Sequence, residues 1–252
     1  MQDVAALQGF GETAAAGERQ GAAERQRGEA PTGRLAIGVS FGPQSRQLHL
    51  SCIGAGIDVT GQFGGQPRTN TMISHLFRRS ARSGTISTLY GMIVAQARLP
   101  CFYQDYGVAD TVNGRFDLII LHLTLVLDRL AAEQELRELG QGLFDHFCRD
   151  MDDNLREMGV GDLSVPKEMR RIGDAFYGRS RAYLAALTPY KPQELADVVA
   201  RNVYGAPLPQ EAAPHRLAAY MRQAHHDLAV QGATALGRGK LRFPDPAGVL
   251  VG

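Results

Sequence analysis

The longest apolar pattern in the chain lies between residues 116 and 130, with the sequence FDLIILHLTLVLDRL. Its large apolar residues recur at intervals of three and four, and further leucines and a valine fill the other faces of a helix. A helix that is apolar on every face is buried on most sides. Asp117 and Asp128 leave ten residues between them, well short of the roughly 20 that a membrane span needs. The pattern therefore predicts the central helix of a soluble helical domain, capped by Asp110 or Thr111.

Amphipathic segments before and after the central helix predict about five further helices. Pro100, Gly159 and Pro189 interrupt the pattern, and each of them favours the end of a helix. The predicted fold is all-α, a single domain of about six helices around the buried central helix. Its core covers residues 86–231, followed by an irregular C-terminal arm from residue 237 to 252. The other helices are expected at 88–99, 135–158, 167–187, 193–204 and 215–231, with an aromatic connector at 101–107.

Residues 1–71 have a different composition from the rest of the chain. They hold thirteen of the 29 glycines, and their many Gly, Ala, Gln, Glu and Arg residues offer too little apolar area to offset chain entropy. Two short runs, 34–40 and 47–53, are typical of strands, but two strands alone are marginally stable at best. We interpret residues 1–71 as a disordered extension, or as the result of a start codon placed too far upstream of Met72. The helical domain is then 72–252.

Two motif-like matches fall within that glycine-rich region. Gly38–Gly42 fits the G-x-S-x-G pattern of hydrolases, which requires a helix after the serine, but Pro43 and an extended run follow. Gly54–Val59 resembles a dinucleotide loop, but it ends in valine and leads into no helical pattern. We interpret both matches as coincidental, so neither predicts an enzyme or a nucleotide cofactor.

The candidate metal ligands have simpler explanations. Asp150–Asn154 suggests a calcium loop, but Leu155 stands where the loop needs glycine, and the run lies within a predicted helix. His122 and His146 belong to no Glu-x-x-His pair, so a di-iron bundle is not indicated. We expect no metal, and we expect a buried His122 that is hydrogen-bonded to a neighbouring polar group.

Composition and charge exclude several classes of protein. The net charge of +1 removes the simplest argument for DNA or RNA binding, which rests on neutralised phosphates. The three cysteines are far apart and form no CxxC pair, which favours a reducing compartment. The N-terminal residues lack the features of a secretory signal or a transit peptide.

Aromatic and charged residues recur at the ends of the predicted helices. Packing and ion pairs between helices are the simpler explanation for any one of them. Together they form a candidate partner-binding surface, because aromatic residues and arginine dominate the hot spots of interfaces. The candidates are Phe102, Tyr103, Tyr106, Asp110, Arg115, Asp117, Asp150, Arg156, Tyr177 and Arg179.

Four strings in this region, IVAQAR, DTVNGRFD, DMDDNLREMGVGDLSVPK and AFYGR, carry a resemblance to a known family. The chain resembles the ubiquinol–cytochrome c chaperone family over about residues 88–187, and the likeness extends toward the FPDP string near the C-terminus. The resemblance implies an all-helical assembly factor for respiratory complex III that is not an enzyme and has no cofactor. It supplies no catalytic residues.

The resemblance also implies partners and a location. The expected client is cytochrome b or another complex III subunit, with the ribosome and a small partner protein as further contacts of mitochondrial members. Without a transit peptide, the chain is expected to be a bacterial member that acts at the cytoplasmic face of the inner membrane, in peripheral contact with it. The alternative is a helical ribosome- or RNA-binding adaptor that uses a basic patch of Arg78, Arg79, Arg82, Arg170 and Arg171.

Overall fold

The computed structural model describes residues 38–41, 48–51, 71–205 and 210–249, with side chains from residue 82 onward. Strands β1 (Gly38–Phe41) and β2 (Leu48–Ser51) pair antiparallel, with Val39 opposite Leu50. Each of the two runs that are typical of strands in the sequence therefore contains a strand, with shorter bounds. The rest of the region that we interpreted as disordered, including the Gly54–Val59 match, lies outside the described residues.

Eight α-helices follow among the described residues, and six of them have eight residues or more. Single 3₁₀ turns lie at Gln134–Leu136 and Pro246–Gly248, and a π-turn at Ala200–Tyr204 extends the sixth helix. The all-α prediction and the number of long helices are confirmed. The helices are α1 (Thr71–Ala97), α2 (Pro100–Gln104), α3 (Val112–Ala131), α4 (Arg137–Glu157), α5 (Val165–Leu187), α6 (Pro192–Val199), α7 (Ala213–Ala229) and α8 (Ala233–Gly237).

Helix α1 begins at Thr71, well before the start that we predicted at Thr88. Residues 74–87 carry four Ser and three Arg residues and no apolar stripe, so their periodicity gives no helical signal. Two contacts with α4 hold this part of α1 in place. Arg82 forms an ion pair with Glu138, and Ile86 packs directly over Gly142. The predicted connector at residues 101–107 is also corrected, since Pro100 opens the short helix α2.

Helix α3 is the centre of the domain, as its sequence predicts. Its N-cap is Thr111, whose Oγ1 accepts a hydrogen bond of 3.1 Å from the backbone N–H of Gly114. Almost every residue from 116 to 130 is buried, Asp128 being the exception. The helix packs against α1, α4, α5 and α7, and this explains why all of its faces are apolar.

We expect Leu123→Ala in this helix to lower the free energy of unfolding by about 3 kcal/mol. Leu123 is fully buried, so the truncation leaves a cavity in the middle of the core. Urea unfolding of the full chain measures the loss. Leu163→Ala is the matched control, because Leu163 is 98% exposed, and it should change stability by less than about 0.5 kcal/mol. Equal effects of the two substitutions would contradict a central position for α3.

The C-terminal segment is irregular, as expected, but it is packed onto the domain. Leu241 is buried, and the Nε2 of Gln96 donates a hydrogen bond of 3.1 Å to the carbonyl of Pro244. The hydroxyl of Tyr106 donates a bond of 2.7 Å to the carbonyl of Pro246. These contacts tie the segment to α1 and to the residues that follow α2, so it completes the core.

Candidate partner-binding groove

A surface groove of about 560 Å³ lies where the end of α1, helix α2 and the start of α3 meet. Pro100 ends α1 and opens α2, and the resulting change of direction creates one wall. The hydroxyl of Tyr103 donates a hydrogen bond of 2.9 Å to the carbonyl of Ala97, which fixes the ring against the end of α1. The lining residues are Arg98, Pro100, Tyr103, Gln104, Asp110 and Arg115.

The groove has more positive than negative charge. Arg115 donates from Nε to Asp110 at 2.7 Å, and both side chains are more than half exposed. This contact lowers the pKa of Asp110 and raises the pKa of Arg115. Arg98 is exposed and forms no ion pair with any side chain between residues 82–205 or 210–249. One guanidinium therefore lacks a countercharge within the described part of the groove.

The structure brings three of the ten candidate residues together in this groove: Tyr103, Asp110 and Arg115. Phe102 and Tyr106 are fully buried behind it, with their ring centroids 5.4 Å apart. Phe102 belongs to α2 and Tyr106 follows that helix, and both rings are part of the core. Their expected place on an exposed surface is therefore corrected to a place in the core.

A buried hydrogen-bond network supports the groove from behind. The Nδ1 of His122 lies 2.7 Å from the carbonyl of Leu118, which can only accept, so this nitrogen carries the proton. The hydroxyl of Tyr220 then donates to Nε2 of His122 at 2.9 Å, and Gln96 donates to Tyr220 at 3.0 Å. Burial lowers the pKa of His122 to about 4. The prediction of a buried, hydrogen-bonded His122 is confirmed, and the network joins α1, α3 and α7.

Asp117 and Arg179 form a buried ion pair between α3 and α5. The distance from Arg179 Nη1 to Asp117 Oδ1 is 2.7 Å, and both side chains are close to fully buried. Burial raises the pKa of Asp117 to about 7, and the guanidinium of Arg179 opposes that rise. These two candidates are thus positioned to join two helices, which corrects their expected place on a surface.

The remaining candidates lie apart from the groove. Asp150 accepts a hydrogen bond of 2.6 Å from the hydroxyl of Tyr90, and Arg156 forms ion pairs with Asp152, at 2.7 Å, and with Asp162. Tyr177 is half-buried and packs its ring on Phe144 and Phe176. Asp150–Asn154 lies within helix α4, as the sequence indicates.

Three residues of the groove were not among the candidates from the sequence: Arg98, Pro100 and Gln104. Gln104 lies within the aromatic connector at 101–107, and Arg98 lies before it, at the end of a predicted helix and close to Pro100. A charged residue at such a break projects beside the chain that follows it. The position of Arg98 beside a proline was the signal available in the sequence. The groove itself exists only because α3 packs beside α2.

Neither a metal centre nor a membrane helix is present in the described part of the chain. Over those residues, His, Cys, Asp and Glu side chains form no group of three or more that is suited to a metal ion. No described helix is both long and apolar enough to cross a membrane. Cys101 and Cys148 are free, and burial raises the pKa of their thiols to about 11 and about 12. Such thiols are poor nucleophiles near neutral pH.

Comparison with known proteins decides the family. A profile of the ubiquinol-cytochrome C chaperone family matches residues 104–243, more than half of the chain. The chain belongs to this family. The crystal structure of the Cbp3 homolog from Brucella abortus is similar, with 37% sequence identity and a TM-score of 0.64, over 71% of this chain and 99% of that one. No curated protein matches. The resemblance found in the sequence is thereby confirmed, and its extension toward the C-terminus is confirmed with it.

Proposed function

We propose that the protein is an assembly chaperone for respiratory complex III that binds newly made cytochrome b and catalyses no reaction. The observation that carries this proposal is the family match over residues 104–243, together with the similar fold of the Brucella Cbp3 homolog.

A chaperone that uses no nucleotide must release its client by handing it to the next partner. Tight binding would oppose that step, because the next partner must bind the client more favourably than the chaperone does. A dissociation constant in the micromolar range corresponds to about −8 kcal/mol and allows rapid exchange. We therefore propose weak, reversible capture of cytochrome b or another complex III subunit. The site of action is the inner face of the bacterial cytoplasmic membrane, in peripheral contact with it.

Three of the ten candidate residues for partner binding are part of this proposal. Tyr103, Asp110 and Arg115 are the predicted residues that line one groove, where Tyr103 is half-buried and the other two are exposed. We propose that this groove contributes to client capture. Its aromatic ring and its charges are side-chain types found at interface hot spots.

The basic patch of the alternative adaptor is partly neutralised. Arg82 forms an ion pair with Glu138, and Arg171 forms one with Glu168 at 3.1 Å. Arg78 and Arg79 have no described side chains, and Arg170 is exposed. Because paired arginines release fewer counterions from a phosphate backbone, this arrangement favours the chaperone over the RNA-binding adaptor.

Deletion of the gene tests the proposed function. We expect the reduced-minus-oxidised absorbance of cytochrome b in membranes to fall, while general protein synthesis is unchanged. A plasmid copy of the full chain should restore the absorbance. Unaltered cytochrome b content in the deletion strain would contradict the chaperone role, and a general loss of translation would support the adaptor instead.

A further inference from the structure

We propose that the groove binds an acidic peptide segment, with Arg98 as its main charged contact and Arg115 as a second one. The proposed function enters this inference only as the source of the peptide, a subunit of complex III. The chemistry of recognition comes from the groove residues themselves. Their contacts favour a carboxylate carried on a polypeptide.

The first argument is charge. Arg98 forms no ion pair with the described side chains, and it lies in the same groove as Arg115. The ion pair of Arg115 with Asp110 is exposed, and such pairs contribute about 0–1 kcal/mol. A bound carboxylate can therefore take over a donor from Arg115 at little cost. Arginine is suited to this, because its planar fork binds a carboxylate through two parallel hydrogen bonds.

The second argument concerns the mixture of donors and acceptors in the groove. Asp110 and the amide oxygen of Gln104 are acceptors, whereas Arg98, Arg115 and the amide NH₂ of Gln104 are donors. A peptide backbone offers N–H and C=O groups that match both kinds. A phosphate group offers only acceptors and leaves the carboxylate of Asp110 without a donor, whereas the N–H groups of a peptide can donate to it. The groove is thus better matched to an acidic peptide than to a lipid headgroup.

The third argument is rigidity and size. The volume of about 560 Å³ lies within the range of roughly 300–1,000 Å³ for sites that enclose small ligands. Phe102 is fully buried behind the groove, and Tyr103 is fixed by its bond to Ala97. A preformed groove loses little conformational entropy on binding. It therefore has room for a few residues of an extended segment.

Fluorescence anisotropy of the full chain with labelled synthetic peptides tests the inference. The probes are short overlapping peptides from the soluble loops of cytochrome b, each acidic one paired with a version carrying Gln and Asn in place of Glu and Asp. We expect micromolar binding of at least one acidic peptide and about tenfold weaker binding of its amide version, as for the loss of one charge-assisted contact of about 1.4 kcal/mol. Arg98→Gln should weaken the binding of the acidic peptide to a similar extent.

Arg181→Gln is the matched control. Arg181 is exposed on α5, and it forms no ion pair with the side chains that the structure describes. The substitution changes the net charge by the same amount and should alter the dissociation constant less than about twofold. Equal weakening by both variants, or binding that ignores the Glu and Asp side chains, would overturn the inference, as would the absence of binding by every peptide.

Sedimentation with lipid vesicles distinguishes an acidic peptide from a lipid headgroup as the ligand of the groove. Vesicles of phosphatidylglycerol and phosphatidylcholine are sedimented with the wild type and with Arg98→Gln, and we expect equal sedimentation. Vesicle binding that depends on Arg98, with no binding of peptides, would overturn the inference in favour of a phosphate. The gene deletion is scored independently: normal cytochrome b content would refute the proposed function while an acidic-peptide site at Arg98 would stand.

Discussion

Replacing Gly114 by alanine is expected to lower the free energy of unfolding by more than about 3 kcal/mol. Gly114 is buried in the first turn of α3, where the chain between α2 and α3 crosses it. A Cβ atom at this position would lie 2.0 Å from the carbonyl oxygen of Ala109 and 3.1 Å from its carbonyl carbon. Both are backbone atoms, so no rotation of a side chain relieves the clash.

The crossing chain has little freedom to move away. The carbonyl of Ala109 accepts a hydrogen bond of 2.9 Å from the N–H of Thr111, and Val108 donates one of 3.0 Å to the carbonyl of Phe102. Val108 is itself buried. Displacing Ala109 would therefore disturb the N-cap of the central helix and would move Asp110, a residue of the groove. We expect a loss of stability and a loss of peptide binding together.

Gly178→Ala is the matched control for this substitution. Gly178 is exposed within α5, and a Cβ atom there would meet no atom within 4 Å. In the interior of a helix, alanine is more favourable than glycine by about 0.5–1 kcal/mol, so this variant should be slightly more stable than the wild type. Urea unfolding of both variants separates the effects. A Gly114→Ala protein as stable as the wild type would show that residues 108–111 can shift without cost.

The central helix was predictable because its signal is local. The apolar residues of 116–130 repeat at helical intervals, and the capping residue Thr111 stands about one helical turn before them. The sequence also places Gly114 within the DTVNGRFD string that carries the family resemblance. Why that position is glycine could not be derived, because the reason is a contact with a backbone oxygen five residues earlier.

The start of α1 and the roles of Phe102 and Tyr106 were not predictable from local patterns. Helix α1 extends toward Thr71 beyond its predicted start, and within this extension Arg82 and Ile86 contact α4, which lies far away in the sequence. Phe102 lies in the short helix α2 and Tyr106 just after it, and a segment this short has too few residues for its buried side to be recognised from the sequence. The groove required the same long-range information, since Arg98 and Arg115 come together only through the packing of α1 against α3.

The ion pair of Asp117 and Arg179 leads to the second large expected effect. Arg179→Met should lower the free energy of unfolding by about 3–5 kcal/mol at pH 8.5, because it leaves a buried carboxyl without its partner. Arg179 also lies 6.0 Å from the centre of the Phe116 ring, and methionine keeps much of that packing. The loss is therefore expected to come chiefly from the charge.

The size of this loss should depend on pH. Burial raises the pKa of Asp117 from its usual value near 3.8 to about 7, although Arg179 opposes the rise. Between these two values the folded protein holds a proton that the unfolded chain has released. The contribution of Asp117 to stability therefore falls as the pH increases toward 7. Without Arg179 the pKa in the folded state rises further, and the fall continues above pH 7.

We therefore expect the difference in stability between wild type and Arg179→Met to be larger at pH 8.5 than at pH 5.5. At the lower pH, Asp117 is mostly protonated in both folded proteins, and the missing guanidinium matters less. Urea unfolding at the two pH values measures the difference. The double variant Asp117→Asn, Arg179→Met carries no titrating carboxyl at this site, so its loss relative to Asp117→Asn should be independent of pH. Equal losses for Arg179→Met at both pH values would show that Asp117 does not titrate near 7, and the pair would then act as a fixed ion pair between α3 and α5.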